Sequence, residues 1–179
     1  MRLQTLKSLL AALGSGLLLA ASAAAQAADP GVSDSTITLG MSAPFTGPNG
    51  AYGKDMKEGA LAYFAQLNAA GGIGGKKIEL LALDDGYETE KTVANTRKLI
   101  NESKVFALMA YYGSSPTTEA MKVFSDARVP LLGTISGAGS LRTPVNRYMF
   151  HLRASYSDET ESIVNHLVTL VNGSANDAG

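Results

Sequence analysis

Tyr111-Tyr112-Gly113-Ser114-Ser115-Pro116 is the stretch of this chain best equipped for chemistry. It reads as a strand exit running into a helix. Ser115 is the cap and Pro116 takes the first helical position, where a missing N–H is tolerated. Gly113 lets the backbone come close to a ligand. The free N–H groups and positive dipole end of such a helix suit a carboxylate or another anion, and Ser114 adds a hydroxyl. The same serines would also serve as helix caps and nothing more. Residues 134–139 (TISGAG) offer the Thr134 and Ser136 hydroxyls with nearby carbonyls, a set that can receive an ammonium group. A plain flexible Gly loop accounts for that composition equally well. Tyr52, Tyr112 and Tyr156 fall in loops or near strand ends, where a ring can wall a pocket and present its hydroxyl; a lone Tyr more often packs.

Other patterns fail on context. Residues 71–76 (GGIGGK) suggest a phosphate loop, yet they follow a helical stretch and open a strand, the reverse of what that loop requires. Asp84-Asp85 could hold a cation, but strand-end polarity and capping of the next helix is the better account. His151 and His166 lack metal-ligand spacing, no serine sits in a G-x-S-x-G elbow, and there is no Cys. Neither a nucleophile–base pair nor a metal site can be assembled, so the chain is not expected to be an enzyme.

The elements that must position these residues alternate. Strands are expected at 36–41, 77–83, 105–110, 129–132 and 148–152, and helices at 54–70, 88–101, 116–127 and 158–171. The first helix carries Met56, Ala60, Phe64 and Leu67 as its apolar stripe. The second strand is so continuously apolar that burial on both faces is expected. Asp158 and Glu161 have capping-box spacing at the start of the last helix. Strand–helix alternation with short connections implies right-handed βαβ units, hence an α/β fold of three layers with a parallel sheet. An order 2-1-3-4-5 would reverse direction between the first and third strands, and ligands bind at the carboxyl ends of strands at such a point. The Gly-, Ser- and Thr-rich loops at 42–53, 111–115 and 133–139 would meet there.

Composition removes further classes. With 15 basic and 16 acidic residues the net charge is −1, which gives no basic stripe for nucleic acid and no polybasic membrane patch. Arg2 and Lys7 precede an apolar run at 9–21 and the small-x-small sequence Ala25-Gln26-Ala27. Residues 1–27 therefore read as a cleaved secretory signal. With no Cys behind it to carry a lipid, the exported protein is expected in the periplasm.

Taken together, 37–53 (ITLGMSAPFTGPNGAYG), 67–75 (LNAAGGIGG), Leu83-Asp84-Asp85, 112–117 (YGSSPT), Val129-Pro130-Leu131 and 152–159 (LRASYSDE) resemble the leucine/isoleucine/valine-binding proteins, which are type I periplasmic binding proteins. The resemblance implies two α/β lobes joined by a hinge with the ligand trapped between them. It implies residues 34–152 as the N-terminal lobe and 153–179 as the hinge crossing with the first helix of a second lobe. It implies that Ser114 and Ser115 hold the ligand's carboxylate, that Thr134 and Ser136 lie around its ammonium, and that Tyr52 is a wall residue. Tyr156 and Asp158 match the crossing stretch. Family members are more than twice as long, so this chain would supply half a cleft. A monomeric transport receptor is implied, without cofactor or metal, passing a branched-chain amino acid or related small carboxylate to an ABC permease in the inner membrane. A ligand sensor for a signalling partner is the alternative on the same fold.

Overall fold

The computed structural model describes residues 29–176; the expected secretory signal lies outside the described residues. The chain runs β1 (Thr36–Ala43), α1 (Gly50–Ala69), β2 (Lys77–Asp84), α2 (Thr89–Asn101), β3 (Ala107–Met109), α3 (Ser114–Asp126), β4 (Leu131–Leu132), a 3-10 turn (Gly139–Leu141), β5 (Met149–Phe150) and α4 (Tyr156–Asn176). The sheet is five-stranded and parallel, in the order β2-β1-β3-β4-β5. The chain steps one way from β1 to β2 and the other way from β2 to β3 and β4. Right-handed crossovers therefore put α1 on the face opposite α2 and α3.

The core forms on the α2/α3 face. Register aligns Gly40, Leu108, Leu131 and Met149 in one row across the sheet. Leu108, Leu131 and Met149 pack with Leu99 and Ile100 of α2 and Ala120 and Phe124 of α3. Gly40 is part of that packing, because a Cβ there would meet Leu99 and Leu108 side chains at 3.1–3.2 Å. The opposite row thins out with distance from α1. Met41 is fully buried, whereas Leu132 is 38% and Phe150 51% exposed. The expected stripe of α1 (Met56, Ala60, Phe64, Leu67) is half-buried. On α4, Ile163, Val164, Leu167 and Val168 are about half exposed.

Expectation and structure differ at several points. β2 is an edge strand with Glu79 and Leu81 exposed, not a strand buried on both faces, because among the described residues no strand pairs beyond it. The third helix starts at Ser114, two residues before the expected start, with Gly113 rather than Ser115 in the capping position and no side chain bonding the cap. Pro116 fits there because the N–H of a third helical residue has no intrahelical partner either. The last helix starts at Tyr156, and its capping box pairs Asp158 with Ser155, not with Glu161. Asp158 Oδ2 accepts from the Ser155 N–H at 3.0 Å and the Ser155 hydroxyl at 2.7 Å, while Ser155 Oγ accepts from the Asp158 N–H at 3.1 Å.

Phe124 is fully buried between α3 and the sheet. Phe124→Ala should cost about 3–5 kcal/mol, read as a lower urea midpoint with an unchanged slope.

Candidate functional site

The carboxyl ends of β1, β3 and β4 lie side by side, and the pairing continues past them as a parallel bridge between Tyr112 and Ile135. That bridge brings the start of α3 against the loop after β4. Ser114 Oγ and Ser136 Oγ share a hydrogen bond at 2.8 Å. Ser136 is fully buried, and its oxygen also accepts from the Ala138 N–H at 3.1 Å. Ser136 is thereby free to donate to Ser114. The first amides of α3 open beside this pair, and an α-helix offers them no internal acceptor.

Tyr156 closes over the pair from the far side. Hydrogen bonds with the Ser114 hydroxyl, the Gly137 backbone and the Ser136 hydroxyl hold its phenol below the ordinary pKa. Its N–H also donates to the Gly137 carbonyl at 2.8 Å. A Cβ on Gly137 would stand 2.4 Å from the Tyr156 ring, so the close approach requires glycine there.

The opposite wall is aromatic. Tyr52, in the first turn of α1 rather than in the preceding loop, stacks on Tyr112 with centroids 5.3 Å apart and planes 19° apart. Tyr87 meets Tyr112 edge-on at 5.7 Å. Burial first, then the neighbouring phenols of Tyr52, Tyr87 and Tyr156, push the Tyr112 pKa up. With Tyr52 58% exposed, the arrangement is an open face at the sheet edge.

The expected residues thus divide. Tyr52, Tyr112, Ser114, Ser136 and Tyr156 are brought together. Ser115 opens instead onto the groove between α2 and α3, beside Thr89, Val93 and Glu119. Thr134 is 2% exposed and its Oγ1 finds no partner among the described residues. The Asp158 carboxylate is occupied by Ser155. Sequence reasoning missed Tyr87 and Arg142. The Arg142 guanidinium donates to the carbonyls of Ser136 and Ala138 at 3.2 Å, of Arg153 at 2.9 Å and of Ala154 at 3.1 Å. It ties the loop after β4 to the segment that delivers Tyr156. Asp84-Asp85 brace the facing loops: Asp84 accepts from the Phe45 and Gly86 N–H groups and from the Thr46 hydroxyl, and Asp85 from the Ser42 hydroxyl and the Tyr87 N–H. Among the described residues no group of acids and His is placed to hold a metal ion.

The sequence pattern of the periplasmic binding protein family matches residues 36–174. The chain belongs to that family. Among solved structures it is similar to a possible leucine/isoleucine/valine-binding protein of Rhodopirellula baltica SH 1, with a TM-score of 0.71 and 32% identity over 75% of this chain and 36% of that one. It is also similar to the branched-chain amino acid transporter substrate binding protein of Streptococcus pneumoniae in complex with isoleucine, with a TM-score of 0.62 and 31% identity over 67% of this chain and 34% of that one. A leucine-, isoleucine-, valine-, threonine- and alanine-binding protein of Pseudomonas aeruginosa is 32% identical over 115 residues, 64% of this chain and 31% of that protein. The chain spans about a third of the length of these relatives. Within the periplasmic binding protein family the fold is the type I lobe, in agreement with the α/β reading and the 2-1-3-4-5 order.

Gly113 takes φ +94, and a Cβ there would lie 2.3 Å from the Tyr87 ring. Gly113→Ala should cost about 1–3 kcal/mol in urea unfolding and shift tyrosine emission as Tyr87 is displaced. At His151, Nε2 faces the Leu141 carbonyl at 3.1 Å, while buried Nδ1 has no partner among the described residues. Burial, then the charge of Arg142, lowers its pKa. A depressed His pKa leaves its stability contribution whole above the unfolded value and removes it as pH falls below that value. The urea midpoint should therefore drop between pH of about 7 and about 5, and His151→Gln should reduce the drop.

Proposed function

We propose that this chain is the substrate-capturing component of an ABC importer, taking up a branched-chain amino acid or a related small amino acid, amide or carboxylate. The observation that carries the reading is the Ser114–Ser136 hydroxyl pair beside the open start of α3 at the sheet's switch point. A carboxylate placed there would accept from the Ser114 hydroxyl and the first α3 amides, in the favourable field of the helix N-terminus. Tyr52, Tyr112 and Tyr156 would wall it, and Thr134, with its buried unpaired hydroxyl, would sit on the ammonium side. Ser115 and Asp158 play supporting parts at most, given what they touch.

In this reading residues 1–27 direct export to the periplasm and are removed. Residues 34–152 form the ligand-binding lobe, and 153–179 form the crossing with the first helix of a second lobe. The protein works as a monomer, hands its ligand to a permease in the inner membrane and catalyses no reaction. Names of similar proteins, which speak of amino acid binding and transport, favour this over a sensor role.

A thermal-shift screen of amino acids, flavins and nucleotides tests it. A ligand at a hundred times its Kd adds about 2.7 kcal/mol, which at roughly 2–4 °C per kcal/mol for a domain of this size is a rise in Tm of about 5–11 °C. We expect such a rise with a branched-chain or related amino acid and its loss in Ser114→Ala. Stabilisation by a flavin or nucleotide in place of amino acids would sink the proposal.

A further inference from the structure

Tyr87 belongs to no motif, yet the site is shaped around it. Its backbone adopts φ +69, a left-handed conformation costly for a residue with a side chain. The conformation is held from beneath: Asp85, 1% exposed, accepts from the Tyr87 N–H at 2.9 Å and from the Ser42 hydroxyl at 2.8 Å. Asn95 donates to Ser42 in turn at 3.1 Å, tying the turn to α2. Above, the ring takes the space that a side chain on Gly113 would fill. Tyr87 is thus wedged between a buried carboxylate and the start of α3, and it remains 41% exposed on its outer side.

The wedged ring is one part of a shelf. Tyr87 stands edge-on to Tyr112, and Tyr112 lies stacked on Tyr52. Gly113, which lies under the Tyr87 ring, directly precedes Ser114, whose hydroxyl pairs with that of Ser136. Rings and hydroxyl pair therefore share one surface. A branched aliphatic side chain on this shelf gains only buried area. A planar ring gains the edge-to-face and offset-stacking attraction as well.

We infer that Tyr87, with Tyr112 and Tyr52, selects a ligand whose carboxylate carries an aromatic ring. This rests on the proposed reading, in which Ser114 and the start of α3 take the carboxylate, and narrows the ligand within it. Tyr87 is the specificity-determining residue and Asp85 its positioning residue.

Calorimetric titration of the full chain with L-phenylalanine, 3-phenylpropanoate and L-leucine decides the matter. We expect a ring-bearing ligand to bind roughly three- to tenfold more tightly than leucine. Tyr87→Leu should remove that preference and Tyr87→Phe should keep it. Preference for phenylalanine over 3-phenylpropanoate would identify an amino acid as the source of the carboxylate; equal binding would identify an aryl acid. Because the chain has no Trp, tyrosine emission reports directly on stacking and should change with a ring ligand. Leucine binding more tightly than either ring ligand, or an undiminished ring preference in Tyr87→Leu, overturns the inference and leaves carboxylate capture standing. Failure of all three to bind overturns both.

Discussion

The structure depends on the position of β1. It lies between β2 and β3, and the chain leaves it in one direction and returns past it in the other. With right-handed crossovers this sends α1 to one face and α2 and α3 to the other, so no helix closes over the carboxyl end of β1. The loops after β1, β2, β3 and β4 then share a single edge. Tyr52, Tyr87, Tyr112, Ser114 and Ser136 come from four different connections, and only this topology brings them within contact distance.

Loops gathered at an edge would move independently without further ties, and here the ties are polar and buried. On the β2 side Asp85 is buried as a carboxylate, which raises its pKa through desolvation despite the hydrogen bonds from Tyr87, Ser42 and Thr92. A buried acid of this kind is tolerated when its oxygens are satisfied, and its bonds are to the backbone and side chains that set the aromatic wall. On the β4 side Arg142 does the corresponding job with four carbonyls and no carboxylate. Its planar fork is suited to bridging two chain segments at once. The two ties are opposite in charge and lie on opposite flanks of the hydroxyl pair, so the site is held at both sides and open at the top.

Much of this was legible from residue types. The strand order and the convergence of the Gly- and Ser-rich loops follow from alternation and handedness, and Tyr52, Tyr112, Ser114, Ser136 and Tyr156 do meet. What was not legible has a common physical origin. Whether a hydroxyl faces a ligand, a cap or the core depends on a rotation of the backbone by one residue. Ser115 turned to the α2/α3 groove and Asp158 turned back to Ser155 for that reason. Tyr87 and Arg142 escaped notice because their partners lie in other connections, a relation that no local spacing encodes. The continuous apolar run of β2 misled because an edge strand in an α/β sheet can be as apolar as a central one while its outer positions stay wet.

Backbone strain points to the same edge. Among the described residues, four other than glycine have positive φ: Tyr87, Lys104, Ala110 and Arg128. Arg128 is accounted for by helix termination, since it follows α3 and the Val129 N–H reaches back to the Phe124 carbonyl at 2.9 Å, as in a left-handed helix stop. Lys104 lies in the turn that leaves α2. Tyr87 and Ala110 terminate no helix. Both lie just past strand carboxyl ends, one after β2 and the other after β3, and they lead into the rings that pack as Tyr87 on Tyr112. Strain of that sort persists only where surrounding contacts over-determine it. Here the contacts are the Asp85 bond on one side and, on the other, the Ala110 N–H donated to the Leu132 carbonyl at 2.9 Å. At Tyr87 and Ala110 the unfavourable conformations fall in the turns that present the aromatic wall, which is where a preformed binding surface would require them.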